Sequence, residues 1–192
     1  MHAVVARAAE PVLPATAYAV LGLLSFDREL SGYDLKKWAD SSLRFFYWSP
    51  AVSQIYGELK RLDRLGYVSS REVPQDELRN KRVYRITAQG RARLTEWIEQ
   101  ADVEPPVLKH STMLRVWLGH ITNPARVRQM LVAHRTNTEQ VLEDARKAEA
   151  GAHNNPEWRY PELVNRFSVR HFEAELALVD ALLADLDDID HS

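Results

Sequence analysis

Between Ser49 and Leu94 the hydrophobic period changes from helical to strand-like and back, and that switch constrains the fold more than any other feature. Val52, Ile55, Leu59 and Leu62 recur at helical spacing and predict one buried stripe. Ser49-Pro50 offers this helix a start, a cap oxygen followed by a proline that needs no N–H in the first turn, and Gly66 ends it. YVSSREV (67–73) and VYRI (83–86) are rich in β-branched and aromatic residues and predict strands, with polar PQDELRNKR (74–82) as an exposed hairpin loop. Thr87 then opens a further helix with Leu94, Trp97 and Ile98 on one face.

The flanking segments complete a pattern. Ala17, Val20, Leu21 and Leu24 share a face in TAYAVLGLLSF (16–26). Ser31-Gly-Tyr-Asp34 reads as a capping box, opening a helix through Leu35, Trp38 and Ala39. Three helices followed by a two-stranded hairpin are the winged helix-turn-helix layout, whose third helix enters the major groove. Asp102-Val-Glu-Pro-Pro106 stops the fourth helix and sets the expected boundary between domains 1–101 and 102–192. The second half reads as all helix. Leu114, Trp117, Leu118 and Ile121 share a face, and Asn123-Pro124 caps a longer helix carrying Val127, Met130, Leu131, His134, Val141, Leu142 and Ala145. A last helix from about 157 carries Phe172, Leu176, Val179, Leu183 and Leu186, with Leu178 and Leu182 as a second stripe. Two apolar stripes need two covers, so the expected dimerisation face is Phe172, Leu176, Val179, Leu183 and Leu186. The fold class is mainly α with a small β-hairpin: an N-terminal winged helix-turn-helix and a C-terminal helical dimerisation domain.

Charge separates the halves. Residues 41–93 hold 11 Lys/Arg against 5 Asp/Glu, whereas 173–190 hold seven acids and no base. A basic segment suits a polyanion. With no cysteine there is no disulfide, thiolate nucleophile or zinc knuckle. The seven glycines stand at least nine residues apart, which excludes Gly-rich phosphate loops and the nucleophile elbow. No two of the seven histidines lie three to five residues apart, so no compact helix-borne metal pair is present. We expect no enzyme, no cofactor and no metal. No apolar run reaches the length of a membrane span, and MHAVVARAAEPVLP lacks a secretory core, so the expected location is cytoplasmic.

Seating the 52–62 stripe inward exposes Ala51, Ser53, Gln54, Tyr56, Lys60, Arg61 and Arg64. Small side chains let a helix approach base edges, Gln pairs with adenine, and Lys and Arg suit phosphates. Arg79, Lys81 and Arg82 add cations at the hairpin, and Ser49 stands at the helix start. The expected partner is double-stranded DNA; the alternative is a winged-helix protein-interaction module without specific DNA binding, favoured by Asp76 and Glu77 in the wing.

SGYDLKKW, SPAVSQIYGELKRLDRLGYV and KRVYRITAQGRARL together resemble the PadR family of bacterial transcriptional regulators, over roughly 16–100. The family features fall on Ile55-Tyr56, Leu59, Leu62, Gly66 and Tyr84 to Gly90. Where the family often has a proline after the Ile-Tyr step, this chain has Gly57. The remainder is similar to the long-tailed, virulence-activator branch. The resemblance implies a homodimer, an inverted-repeat operator, repression more often than activation, and release by small aromatic molecules. Trp117, His134, Trp158 and Phe167 are the candidates to line such an effector pocket, although His134 on an apolar face reads better as a hydrogen-bonded core residue.

Overall fold

The computed structural model describes residues 12–75, 78–153 and 155–190, the side chains of 75, 78–80 and 188–190 excepted. Two compact units divide the chain: Met1–Asp40 with Ser49–Asp102, and Ser41–Trp48 with Val103–Ser192.

In the first unit, α1 (Ala15–Leu24) buries Ala17, Val20, Leu21 and Leu24 and packs against α3 (Val52–Arg64) and α4 (Ala88–Gln100). The Ser31–Asp34 capping box opens α2 (Gly32–Ser41): Asp34 N–H donates to Ser31 Oγ (3.2 Å), and Ser31 N–H donates to Asp34 Oδ2 (3.0 Å). At the end of α3, Tyr67 N–H reaches Leu62 O and Gly66 N–H reaches Asp63 O, a paired closure that satisfies the last carbonyls. The hairpin is longer than the sequence suggests. β1 (Val68–Gln75) and β2 (Leu78–Ile86) pair antiparallel from Val68 with Ile86 to Gln75 with Leu78, with an irregularity at Pro74. Most of the expected loop 74–82 is therefore strand; a two-sided polar ribbon shows no alternation for sequence to detect. Asp76 and Glu77 lie outside the described residues.

Thr87 joins the hairpin to α4. Its Oγ1 donates to Gly66 O and accepts from Gly90 N–H (3.0 Å), while its own N–H donates to Tyr67 O. This draws Gly90 so close that a Cβ there would stand 2.0 Å from the Tyr67 carbonyl oxygen. On α4, Leu94 is buried and Trp97 stacks on Tyr18 at 4.5 Å. Ile98 is exposed rather than on the buried face.

The second unit is a helical hairpin. α6 (Pro124–Ala152) and α7 (Arg159–Asp190) pack together, joined by a short 3-10 turn at Pro156–Trp158. Phe172 and Leu176 join Leu142, Ala145 and Val169; Val179, Leu183 and Leu186 join Val127 and Leu131. The order of these pairs makes the helices antiparallel. Phe45, from a 3-10 turn at Leu43–Phe45, enters the first cluster, and Arg44 meets Asp144 at 2.7 Å, which is why Ser41–Trp48 counts with this unit. On α5 (Ser111–Trp117), Met113 and Val116 face inward while Leu114 and Trp117 are exposed, as is Ile121 beyond it. Three of the four residues of the expected shared face thus point outward, and Leu118 is half-buried. The acidic end is not a free tail either: Asp180 pairs with Arg135, Glu173 with Arg146, and Asp187 with Arg128, all on α6.

Gly90→Ala should destabilise the first unit by about 1–3 kcal/mol, the usual range for forcing atoms into a filled site. Urea unfolding should show a lower midpoint at unchanged slope; an unmoved midpoint would mean that the α4 start yields freely.

Candidate nucleic-acid interface

Burial of Ile55, Leu59 and Leu62, none more than 1% exposed, sets the rotation of α3. Ala51, Ser53, Gln54, Tyr56, Lys60, Arg61 and Arg64 consequently all lie exposed, as the spacing requires. Val52 does not complete the buried stripe. It is 48% exposed, because side chains lean toward a helix's N-terminus and that of the first residue projects past the end. It joins the outward face, where an apolar contact suits a thymine methyl group. Sequence periodicity alone hid it.

The start of α3 is built differently from the sequence reading. Its N-cap is Ala51, not Ser49, and Gln54 Oε1 accepts the Ala51 N–H (2.8 Å). Gln54 thereby supports the helix end and keeps its amide N–H₂ for an outside acceptor. Ser49, half-buried, instead donates to Asp40 Oδ1 (2.6 Å) and accepts from Lys36 Nζ (3.0 Å). Pro50 between them is fully buried, and the helix starts two residues later than a Ser49 cap would place it. Tyr56 lies against the first residue of α2: a Cβ at Gly32 would come within 2.5 Å of its ring, so only glycine admits the ring in this position.

The cations are not equivalent. Arg61 pairs with Glu58 at 3.2 Å, whereas Lys60 and Arg64 make no ion pair among the described residues. In the wing, Arg82 pairs with its cross-strand partner Glu72 at 3.6 Å. Arg71 holds Glu29 through a 2.9 Å hydrogen bond and keeps that carboxyl below its usual range. The Arg79 side chain lies outside the described residues.

Lys81 reaches Asp34 at 2.8 Å. The same Oδ2 accepts the Ser31 N–H and hydroxyl. Partial burial raises the pKa of Asp34, but the hydrogen bonds from Lys81 and Ser31 outweigh it and leave the carboxyl below its ordinary value. Leu30 and Tyr84 exchange backbone hydrogen bonds one residue away (3.1 and 2.9 Å). One carboxylate and one backbone bridge thus fasten the wing to the start of α2. The sequence marks Asp34 only as a cap; its second role has no local signal.

The expected effector residues are dispersed over four elements. Trp117 is exposed on α5, Phe167 is exposed on α7 and stacks on His171 at 6.1 Å, and Trp158 is half-buried in its 3-10 turn. His134, on α6, hydrogen-bonds Glu175. The Phe172 to Leu186 stripe lines the α6–α7 contact within one chain.

Residues 20–96 match the model of the transcriptional regulator PadR-like family, and residues 108–187 that of the virulence activator alpha C-terminal family. Over 100 residues the chain is 37% identical to the negative transcriptional regulator PadR of Bacillus subtilis (strain 168), covering 52% of this chain and 54% of that protein. The match spans only about half the length of that relative. The crystal structure of Bacillus subtilis PadR in complex with operator DNA is similar at a TM-score of 0.76 and 25% identity, covering 90% of this chain and 99% of the other. The complex of the same protein with p-coumaric acid is similar at 0.68 and 25%, over 89% and 98%. Among the described residues, no helix is long and apolar enough to cross a membrane.

A depressed Asp34 pKa means that the stability it contributes is complete above the ordinary value of about 3.9 and is lost as pH falls through the lowered one. In Lys81→Ala, Asp34 should titrate at higher pH by carboxyl carbon NMR, and acid unfolding should begin earlier. An unchanged Asp34 titration would remove Lys81 as its partner.

Proposed function

With residues 20–96 matching its model, the chain belongs to the PadR-like family of transcriptional regulators, and we propose that it acts as a homodimeric repressor on an inverted-repeat operator. The observation that carries this reading is the outward face of α3. It bears small and amide side chains at its start (Val52, Ser53, Gln54) and, farther along, the cations Lys60 and Arg64, which make no ion pair among the described residues. Val52, Ser53 and Gln54 read base edges, and the free N–H groups of the first turn and Lys60 hold phosphates. Tyr56, braced on Gly32, positions the helix on the backbone. Arg71, Arg79, Lys81 and Arg82 give the wing its phosphate contacts; Arg71, Lys81 and Arg82 each exchange an internal carboxylate for DNA when they do so. The operator-bound Bacillus relative supports this reading.

Dimerisation is assigned to the outer stripe of α7. Tyr160, Leu163, Phe167 and Leu178 are each at least 60% exposed, and they line up at helical spacing on the side that α6 does not cover. Exposed apolar side chains along one face, interrupted by His171, call for a cover, and a second copy of the same helix supplies a self-complementary one. The two recognition helices would then enter successive major grooves, about one helical turn apart. The effector class is carried over from the p-coumaric acid complex: a small aromatic acid that releases DNA. Adding p-coumarate to the protein–operator complex tests this, with release expected.

Fluorescence anisotropy against DNA upstream of the chain's own gene and against scrambled DNA, across a salt series, tests the main reading. We expect a gap of roughly a thousandfold or more and a steep fall of affinity with salt. Lys60→Ala should weaken binding to every sequence and reduce the salt slope by about one, while Gln54→Ala should narrow the specific gap. Equal weak binding to both DNAs would favour a protein-interaction surface instead. Phe167→Glu combined with Leu178→Glu should yield a folded monomer by light scattering; a persisting dimer would move the interface off this stripe.

A further inference from the structure

We propose that His110, His134 and Glu175 form a binding site for one divalent transition-metal ion of the zinc class. The three residues come from separate elements: the N-cap of α5, the middle of α6 and the middle of α7. Nε2 of His110 and Nε2 of His134 each lie 2.8 Å from Oε1 of Glu175. The three donor atoms fall within 4.8 Å of one another, and the imidazole rings meet edge-on at 4.9 Å. Their side chains are 18–20% exposed, so the cluster is held by its surroundings yet open to an ion from solvent.

The donor set selects the ion. Two imidazole nitrogens and one carboxylate oxygen suit zinc, cobalt and nickel, whereas magnesium and calcium favour all-oxygen shells. Three protein donors leave a fourth position for water or a small anion. At metal–ligand distances of about 2.0–2.2 Å, tetrahedral donors stand roughly 3.3 Å apart, so each 2.8 Å contact needs to open by only about half an ångström. Without an ion, the two N–H groups converging on one oxygen hold the Glu175 carboxylate, whose pKa is pushed up by burial but drawn down further by both histidines.

Occupancy carries a structural consequence. The Met113 N–H donates to Nδ1 of His110 at 3.3 Å, which puts the proton of that ring on Nε2, toward Glu175. Coordination through Nε2 requires this proton to move to Nδ1, and two N–H groups then oppose each other at the start of α5. Loading the ion therefore exchanges a long capping hydrogen bond for a bond that ties α5 to α6 and α7. Separations of 24 and 41 residues, beyond any short ligand motif, kept the cluster out of the sequence reading.

The test uses the full chain, stripped with chelator and dialysed. Cobalt(II) chloride titration should give visible d–d bands saturating at one ion per chain, and zinc chloride should displace the cobalt and raise the thermal midpoint, while magnesium chloride should do neither. His134→Gln and Glu175→Gln, both checked for helicity by circular dichroism, should bind cobalt at least tenfold more weakly, since even the partners behind metal ligands are worth about 10–100-fold. His153→Ala removes an exposed histidine paired with Glu162 and should leave binding unchanged. Absence of one-to-one binding, or equal affinity in His134→Gln, would overturn the site and leave a hydrogen-bonded clamp. Neither outcome depends on whether the chain binds DNA.

Discussion

The face that α3 presents to the outside depends on burial of three of its side chains. Ile55, Leu59 and Leu62 are each almost wholly removed from water. Burying such a side chain contributes about 1.5–3 kcal/mol, more than any single surface contact on the same helix. The helix therefore cannot rotate to suit a ligand; the outward face follows from the inward one. Gln54 then stabilises the helix start from that face, so a residue of the proposed interface also supports the fold.

The wing is positioned by polar chemistry instead. A two-stranded ribbon exposed on both sides has little apolar area to seat it. Its place is set by the Leu30–Tyr84 backbone bridge and by the Asp34 carboxylate, which gathers the Ser31 cap and the Lys81 ammonium on one oxygen. The same arrangement engages a wing cation that DNA would otherwise attract. A contact between Lys81 and a phosphate, as proposed, would therefore compete with a bond that holds the wing.

In the second unit the α6–α7 pair uses one stripe of α7 for its own core and neutralises much of the acidic end with Arg128, Arg135 and Arg146. Three of the seven acids at 173–190 are thus held by arginines of the same unit, while the charge asymmetry between the halves of the sequence remains. Beside these exposed ion pairs the unit also presents apolar side chains: Tyr160, Leu163, Phe167 and Leu178 on α7, and Leu114 and Trp117 on α5.

The helices of both units, the capping box at Ser31, the Thr87 start and the exposed set on α3 were legible in the sequence, because each depends on interactions three or four residues apart. Those local rules decided the fold class and most of the candidate interface. Other features had no such signature. The outward turn of Val52 depends on where a neighbouring surface ends, and the full length of the hairpin on pairing between strands of mixed polarity. The internal use of the Phe172 to Leu186 stripe depends on which of two faces α6 covers. The second role of Asp34 and the meeting of His110, His134 and Glu175 join residues 24 to 65 positions apart. Contacts of that range exist only once the chain has folded, so tertiary structure alone decided them.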